Sequence, residues 1–241
     1  MNKKEIIKRQ EAWDKVVVES SSLSQAVMRN DNQISLKNTS QYISDKLGLN
    51  KTDTLLDVGC GTGVLTNELS HHVKDAYGVD FSYEAIQRAK AKFHEVKFSV
   101  SESINLPFPE NSFDKILSYS IFHYYPSKSY AEASISEMLR VSKSKSTLLF
   151  GDLPSEKHYL SSSNKKKLSF LSLTKKRFKR FLGLKKRPII QDRRSWFWID
   201  LEYIKSYLES KGCEIEISPV PSIHQYTEKT SHYRFDILVK K

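Results

Sequence analysis

With two cysteines in 241 residues, Cys60 and Cys213, the chain has neither a disulfide framework nor a metal-ligand spacing. No apolar run approaches the ~20 residues that cross a bilayer. The opening MNKKEIIKRQEAW carries charge where a signal peptide needs its apolar centre, so a cytoplasmic protein is expected. Acidic residues are absent from one whole stretch: Lys157 to Gln191 holds twelve Lys or Arg and no Asp or Glu. Against a net charge of +11 for the chain, that segment's +12 leaves −1 for everything else. The basic character is therefore local, and it points to one acidic partner at one place rather than to a nucleic-acid-binding surface over the whole protein. An anionic membrane surface, RNA and a phosphorylated substrate all qualify. Leu168, Phe170, Leu171, Phe178, Phe181 and Leu182 interleave the charges as in an interfacial helix, although Lys175 and Arg177 fall inside the apolar arc. A solvated loop is the plain alternative.

Hydrophobic residues make up 39% of the chain, enough at this length for one sizeable core plus appendages. Residues 1–49 read as an N-terminal helical cap of two helices, around Glu5 to Val18 and Ile34 to Leu47, the second ended by Gly48. Residues 50–153 alternate apolar runs with helical stretches. Strands are expected near Leu55, Ala76 to Val79, Val96 to Val100, Lys115 to Ile121 and Thr147 to Phe150, with helices at Glu84 to Phe93 and Tyr130 to Val141. Such alternation gives a parallel sheet covered on both faces. Residues 195–241 add a helix, Leu201 to Ser210, and strands Cys213 to Ile217 and Tyr233 to Val239, completing a doubly wound α/β fold of seven strands with the last antiparallel. Residues 154–194 have no place in that core. They read as a basic insertion over the carboxyl ends of the strands, where ligands bind in open α/β sheets.

The motif that carries most chemistry is LLDVGCGTG, Leu55 to Gly63. A buried strand ends in Asp57 and delivers a bare loop whose glycines, Gly59, Gly61 and Gly63, let backbone turn at positive φ and a ligand approach it closely. Val64, Leu65 and Leu69 then resume at helical spacing. The dinucleotide fingerprint GxGxxG has its third glycine one residue later and aims a helix start at a pyrophosphate. The spacing here is GxGxG, and Asp57 already places negative charge at the strand end, so a ligand without a diphosphate is favoured. Asp80 closes the second strand 23 residues after Asp57, the length of one helix and a return strand, which would set a carboxylate beside a ribose diol.

DVGCGTG, the acid of GVDFS, the acidic residue ahead of LPFPENSFD and the strand ILSYSIFHYY resemble, in that order, the motifs of class I S-adenosylmethionine-dependent methyltransferases, most like the type 11 group of small-molecule enzymes. The resemblance implies a Rossmann-like sheet of strand order 3-2-1-4-5-7-6, with S-adenosyl-L-methionine as cofactor and S-adenosyl-L-homocysteine as product. It implies that the backbone of Gly59, Cys60, Gly61 and Gly63 borders the amino-acid end of the cofactor and that Asp57 helps hold its ammonium group. Asp80 would accept both ribose hydroxyls, and Phe81 would lie next to the adenine. Glu102 stands where the family usually has Asp for the adenine amino group, with the Ser103 backbone beside a ring nitrogen; Ser118 and Tyr119 would form the floor. Ser142-Lys143-Ser144-Lys145-Ser146 replaces the family's common Lys-Pro-Gly-Gly turn and should alter it.

Methyl transfer from a sulfonium is an in-line displacement in which the protein mainly aligns two reactants and excludes water. A general base is needed when the acceptor is a hydroxyl or a protonated amine. His123, just past the fourth strand, is the candidate catalytic residue; a structural histidine at the edge of the site is the alternative, since the family often has His there without a catalytic role. Asp152, His158, His224 and His232 are further candidates from loops, and Tyr124, Tyr125, Trp196 and Trp198 are candidates to line an acceptor pocket or simply to pack. Ser118-Tyr119-Ser120-Ile121 lacks the Asn/Asp-Pro-Pro-aromatic motif of base-amine methylation. Neither cysteine has the Pro-Cys context of cytosine C5 methylation, and no double-glutamate loop for arginine methylation is found. A small-molecule acceptor is expected, narrowed to a sugar or saccharide hydroxyl, lipid-linked at the inner face of the cytoplasmic membrane. That narrowing comes from Ser231 to Lys240 and Trp196-Phe197-Trp198-Ile199, which resemble methyltransferases associated with bacterial surface polysaccharide biosynthesis. Two other readings stay open: an RNA methyltransferase whose basic insertion grips phosphates, and a non-catalytic partner protein that binds the cofactor.

Overall fold

A computed structural model describes residues 3–26, 33–163, 197–221 and 233–241. Seven strands form one sheet in the order β3-β2-β1-β4-β5-β7-β6. They are β1 (Thr54–Val58), β2 (Asp75–Asp80), β3 (Lys97–Val100), β4 (Phe113–Tyr119), β5 (Ser142–Pro154), β6 (Glu214–Pro219) and β7 (Arg234–Lys240). β1 pairs in parallel with β2 and β4, β2 with β3, and β4 with β5, while β7 runs antiparallel to both β5 and β6. The expected strand order and the reversed last strand are both present.

Alternation of side chains along each strand decides which helices cover which face. Leu55, Leu117 and Leu149 point to one side, where they meet Ile43 and Leu47 of α3 (Gln33–Leu47), Leu65 and Leu69 of α4 (Val64–Ser70), and Ile86 of α5 (Tyr83–Lys92). Their neighbours Leu56, Ile116 and Leu148 point to the other, against Ile135 and Met138 of α6 (Lys128–Val141) and Ile204 and Leu208 of α8 (Leu201–Glu209). Burial on both faces is why these strands read as continuous apolar runs; each such side chain contributes ~1.5–3 kcal/mol. Helix starts are set by side-chain caps: Ser82 accepts from the Ala85 amide at α5, and Ser127 from the Tyr130 amide at α6.

Two local expectations are corrected. A short helix, α2 (Leu23–Ala26), follows α1 (Lys3–Glu19), giving three helices ahead of β1 among the described residues instead of two. And β5 is far longer than Thr147 to Phe150. The stretch Ser142–Ser146 is strand, not turn: α6 ends at Val141 and the chain pairs at once, with a register jump from Phe113↔Ser142 to Lys115↔Thr147. Lys145 absorbs the irregularity at φ 62, and its amide donates to the Lys241 carbonyl at 2.9 Å. At its other end β5 runs on through Asp152, and α7 (Glu156–Ser163) follows directly. Most of the basic insertion, together with Trp196, His224, Ser231 and His232, lies outside the described residues. No described helix is long and apolar enough to cross a membrane.

Candidate active site

The loop after β1 is sewn to β2, because the amides of Gly59 and Cys60 both donate to the Val79 carbonyl, at 2.8 and 3.0 Å. Gly59 takes φ 84, and a Cβ there would stand 2.6 Å from Cγ2 of Ile121, so dihedral and packing both demand glycine. The loop therefore turns backbone, not side chains, toward the cleft. Asp80 completes the corner: its Oδ2 accepts from the Gly61 amide and its Oδ1 from the Ser82 amide, each at 2.9 Å. A carboxylate offers about four lone-pair sites, and the capacity that these amides leave suits a ligand hydroxyl. Burial pushes the Asp80 carboxyl up to about 6, against the pull of those two amides.

Asp57 is 2% exposed and accepts from the Thr66 hydroxyl at 2.6 Å, which ties the end of β1 to the first turn of α4. Burial, then the carboxylates of Asp80 and Asp57, raise the Cys60 thiol well above its ordinary range, so it stays protonated and unreactive. Farther along the cleft, half-buried Glu102 accepts from the Tyr130 hydroxyl at 3.4 Å. Ser103, Ser118 and Ser134 gather around the buried hydroxyl of Tyr125, which meets Ser134 at 2.8 Å. The structure thus brings Gly59, Cys60, Gly61, Gly63, Asp57, Asp80, Phe81, Glu102, Ser103 and Ser118 to one edge of the sheet.

Across that edge lies α1, whose residues sequence reasoning did not single out. Gln10 donates to the Phe81 carbonyl at 2.8 Å, and the Asp14 carboxylate accepts from the Ser82 hydroxyl and from the Glu84 amide. On the far side Arg9 donates to the Tyr124 carbonyl at 2.6 Å, and the Trp13 ring meets Tyr124 edge-on with centroids 5.0 Å apart. The helix spans from the start of α5 to the turn after β4. Helical periodicity revealed the helix; the partners sit too far along the chain for any spacing rule to join them.

Just past the end of β4, and at the irregularity between Phe150 and Leu153 of β5, stands a second polar group. Ser120 and Asp152 are non-glycine residues in the left-handed region, at φ 65 and 60, a conformation that costs ~1–3 kcal/mol each. The Ser120 hydroxyl donates to Asp152 Oδ2 at 2.5 Å. Arg234 pairs with Asp152 Oδ1 at 3.2 Å and donates to its carbonyl at 2.9 Å. Asp236 Oδ1 accepts from the Asp152 amide at 2.8 Å and Oδ2 from Tyr42 at 2.7 Å. Burial pushes the Asp236 carboxyl up to about 6. His123, 2% exposed, lies beside this group; burial and then Arg234 hold its imidazole well below the usual range, so it is neutral at pH 7 and a weak base. The return from the insertion is zipped to the sheet where the Phe197 amide donates to the His123 carbonyl and the Ile199 amide to the Pro154 carbonyl, both at 2.9 Å. Trp198 packs over Tyr159 there with centroids 4.7 Å apart. No group of three or more His, Cys, Asp or Glu among the described residues is placed to hold a metal ion.

Residues 56–150 match the family model described as "Methyltransferase domain". The sterol 24-C-methyltransferase of Pneumocystis carinii is 34% identical over 129 residues, which cover 51% of this chain and 31% of that protein. The demethylmenaquinone methyltransferase of Beutenbergia cavernae is 31% identical over 100 residues, covering 41% of this chain and 40% of the relative. The chain thus spans less than half the length of these curated relatives. Among solved structures, phosphoethanolamine N-methyltransferase 1 of Haemonchus contortus superposes with a TM-score of 0.68 at 16% identity, covering 100% of this chain and 50% of that one. The match runs from β1 into β5, across the glycine loop and the acid-ended second strand, so over these residues the chain is similar to methyltransferase domains.

Proposed function

We propose that this protein transfers a methyl group from S-adenosylmethionine to a hydroxyl of a small-molecule acceptor, a saccharide carried at an anionic membrane face. The observation that carries the transfer reading is the corner formed by Asp80 and Gly61, a buried carboxyl with two amides in place and capacity left for a ligand hydroxyl. Bound there, the cofactor supplies a methyl group on a positively charged sulfur. The chain's own residues hold, orient and exclude water. The 59–63 backbone would border the amino-acid end, Asp80 would take the ribose hydroxyls and Glu102 and Ser103 the adenine, with α1 held alongside through Gln10, Asp14 and Trp13. Alignment of two reactants in such an enclosed site is worth up to ~7–11 kcal/mol in favourable cases.

The saccharide part of the reading is supported by the half-buried Trp198 and Tyr159 rings, packed together at the stem of the insertion, since aromatic side chains are common linings of small-molecule sites. The membrane part is supported by the twelve Lys or Arg between Lys157 and Gln191. Incubating the protein with S-adenosylmethionine labelled in its methyl group and a cell lysate, then separating small molecules, lipid and glycan, RNA, and protein, tests it. Label in the lipid and glycan fraction is expected. Label in RNA would move the acceptor to nucleic acid, and no label in any fraction would leave a cofactor-binding protein without transfer.

A further inference from the structure

Gly78 lies inside β2 with ordinary strand dihedrals, a place where glycine weakens a strand and nothing in the backbone calls for it. What calls for it is side-chain packing, first of all Phe98, its register partner on β3. A Cβ at Gly78 would stand 2.7 Å from Cδ1 and 2.8 Å from Cε1 of that ring, and 2.9 Å from Sγ of Cys60 in the glycine loop. The same ring reaches the far end of the loop, where a Cβ at Gly63 would meet its Cζ at 2.5 Å and its Cε1 at 2.8 Å. One ring edge therefore fills two bare places at once, one beside Cys60 and one at the start of α4. Phe98 is 6% exposed and packs in one core cluster with Cys60 and Ala89. Gly63 holds φ 75 and has no side-chain cap, so the ring is the side chain that backs the loop where it turns into α4.

We propose that Phe98 is a positioning residue for the cofactor: its ring, wedged between Gly63 and Gly78, sets where the 59–63 backbone stands over β2 and so governs the grip on the amino-acid end of S-adenosylmethionine. The inference rests on the reading that this backbone borders that end. Phe98 acts from behind the loop, through Gly63 and Cys60. At its other end the loop is anchored by hydrogen bonds, from the Gly59 and Cys60 amides to the Val79 carbonyl. Loss of the ring frees the Gly63 end while leaving those bonds. Asp80 keeps its place on β2 through the Ser82 amide, so the ribose corner is disturbed less than the loop. A binding contact built on backbone depends on such support, because the groups that hold a ligand are only as precise as the packing behind them.

Phe98→Leu takes the ring out of both places while keeping an apolar side chain, and Gly78→Ala pushes the ring and Cys60 from the β2 side. Each variant is titrated by calorimetry with S-adenosylhomocysteine and with adenosine, which lacks the amino-acid end, well below that variant's own melting midpoint. Partial unfolding lowers both apparent affinities by the same factor, so it cancels from their ratio, and loss of stability alone leaves the ratio unmoved. In the unaltered protein S-adenosylhomocysteine should bind the tighter. In both variants its advantage over adenosine should fall about tenfold, as expected when a contact is displaced by part of an ångström. A ratio within about twofold of the unaltered protein's in either folded variant, whatever the change in melting temperature, would make Phe98 a packing residue and overturn the proposal. Equal affinity for the two ligands in the unaltered protein would overturn it as well, by taking the amino-acid end away from the loop. If the unaltered protein binds neither ligand, the cofactor reading falls and this inference with it; if it prefers S-adenosylhomocysteine and the variants keep that preference, this inference alone falls.

Discussion

The Gly61 amide donates to Oδ2 of Asp80 at 2.9 Å, so one carboxyl joins the loop after β1 to the end of β2 and sets the width of the corner between them. Because that carboxyl is buried, its ionisation is tied to both folding and binding.

An exposed aspartate titrates near ~3.9, and Asp80 is raised to about 6. A carboxyl whose folded value is raised binds its proton more tightly in the native state, so between about pH 4 and 6 the contribution of Asp80 to stability falls as pH rises. Binding runs the other way. Ribose hydroxyls donate to the ionised form, so S-adenosylhomocysteine affinity should be full above pH 7 and weaken by up to about tenfold per unit below pH 6. Calorimetry from pH 5 to 8 reads this directly. Asp80→Asn should bind at least tenfold more weakly at pH 7.5 and show a flat profile; a pH-dependent Asn variant would assign the titration to another group.

Gly59→Ala should cost cofactor affinity at least tenfold. The new Cβ meets Cγ2 of Ile121 at 2.6 Å and cannot relax at φ 84. Adding Ile121→Ala relieves the overlap but not the dihedral, so affinity should recover only in part, a difference that a titration of the two variants resolves.

Gly151→Ala tests packing alone. A Cβ at this position would lie 2.2 Å from Cδ2 of the buried Tyr119 ring, at the last pair of the β4–β5 ladder. Overpacking of this kind costs ~1–3 kcal/mol, and urea denaturation should show the midpoint falling with an unchanged slope.

Arg234→Met should be strongly destabilising, by ~3–5 kcal/mol, because it leaves the wholly buried Asp152 carboxylate without its cation. Replacing both, as Arg234→Met/Asp152→Asn, should return a good part of that loss. A double variant no more stable than the single one would mean that the hydrogen bond from Arg234 to the Asp152 carbonyl matters more than the charge.

Trp13→Ala and Asp14→Ala loosen α1 at opposite sides of the cleft. Both should speed dissociation of S-adenosylhomocysteine several-fold in stopped flow, and amide exchange at residues 80–86 should rise. Unchanged dissociation in both would remove α1 from the binding site.

Sequence by itself determined the sheet and the glycine corner at the ends of β1 and β2. Leu55-Leu56, Ile116-Leu117 and Leu148-Leu149 are apolar at consecutive positions because each strand is covered on both faces, and such a run is visible without coordinates. The three glycines and Asp80 were legible for a similar reason: positive φ and close approach impose a residue type at a spacing fixed by one helix and one strand. Tertiary structure decided the rest. β5 extends over Ser142–Ser146 because β4 and the chain's last residue offer it hydrogen bonds, which override the turn character of a serine and lysine run. The crossing of α1 over Phe81 and Tyr124, and the meeting of Ser120, Asp152 and Arg234, join residues far apart in the chain. Their local signals are silent, since strain at Ser120 and Asp152 is held by neighbours rather than announced by glycine.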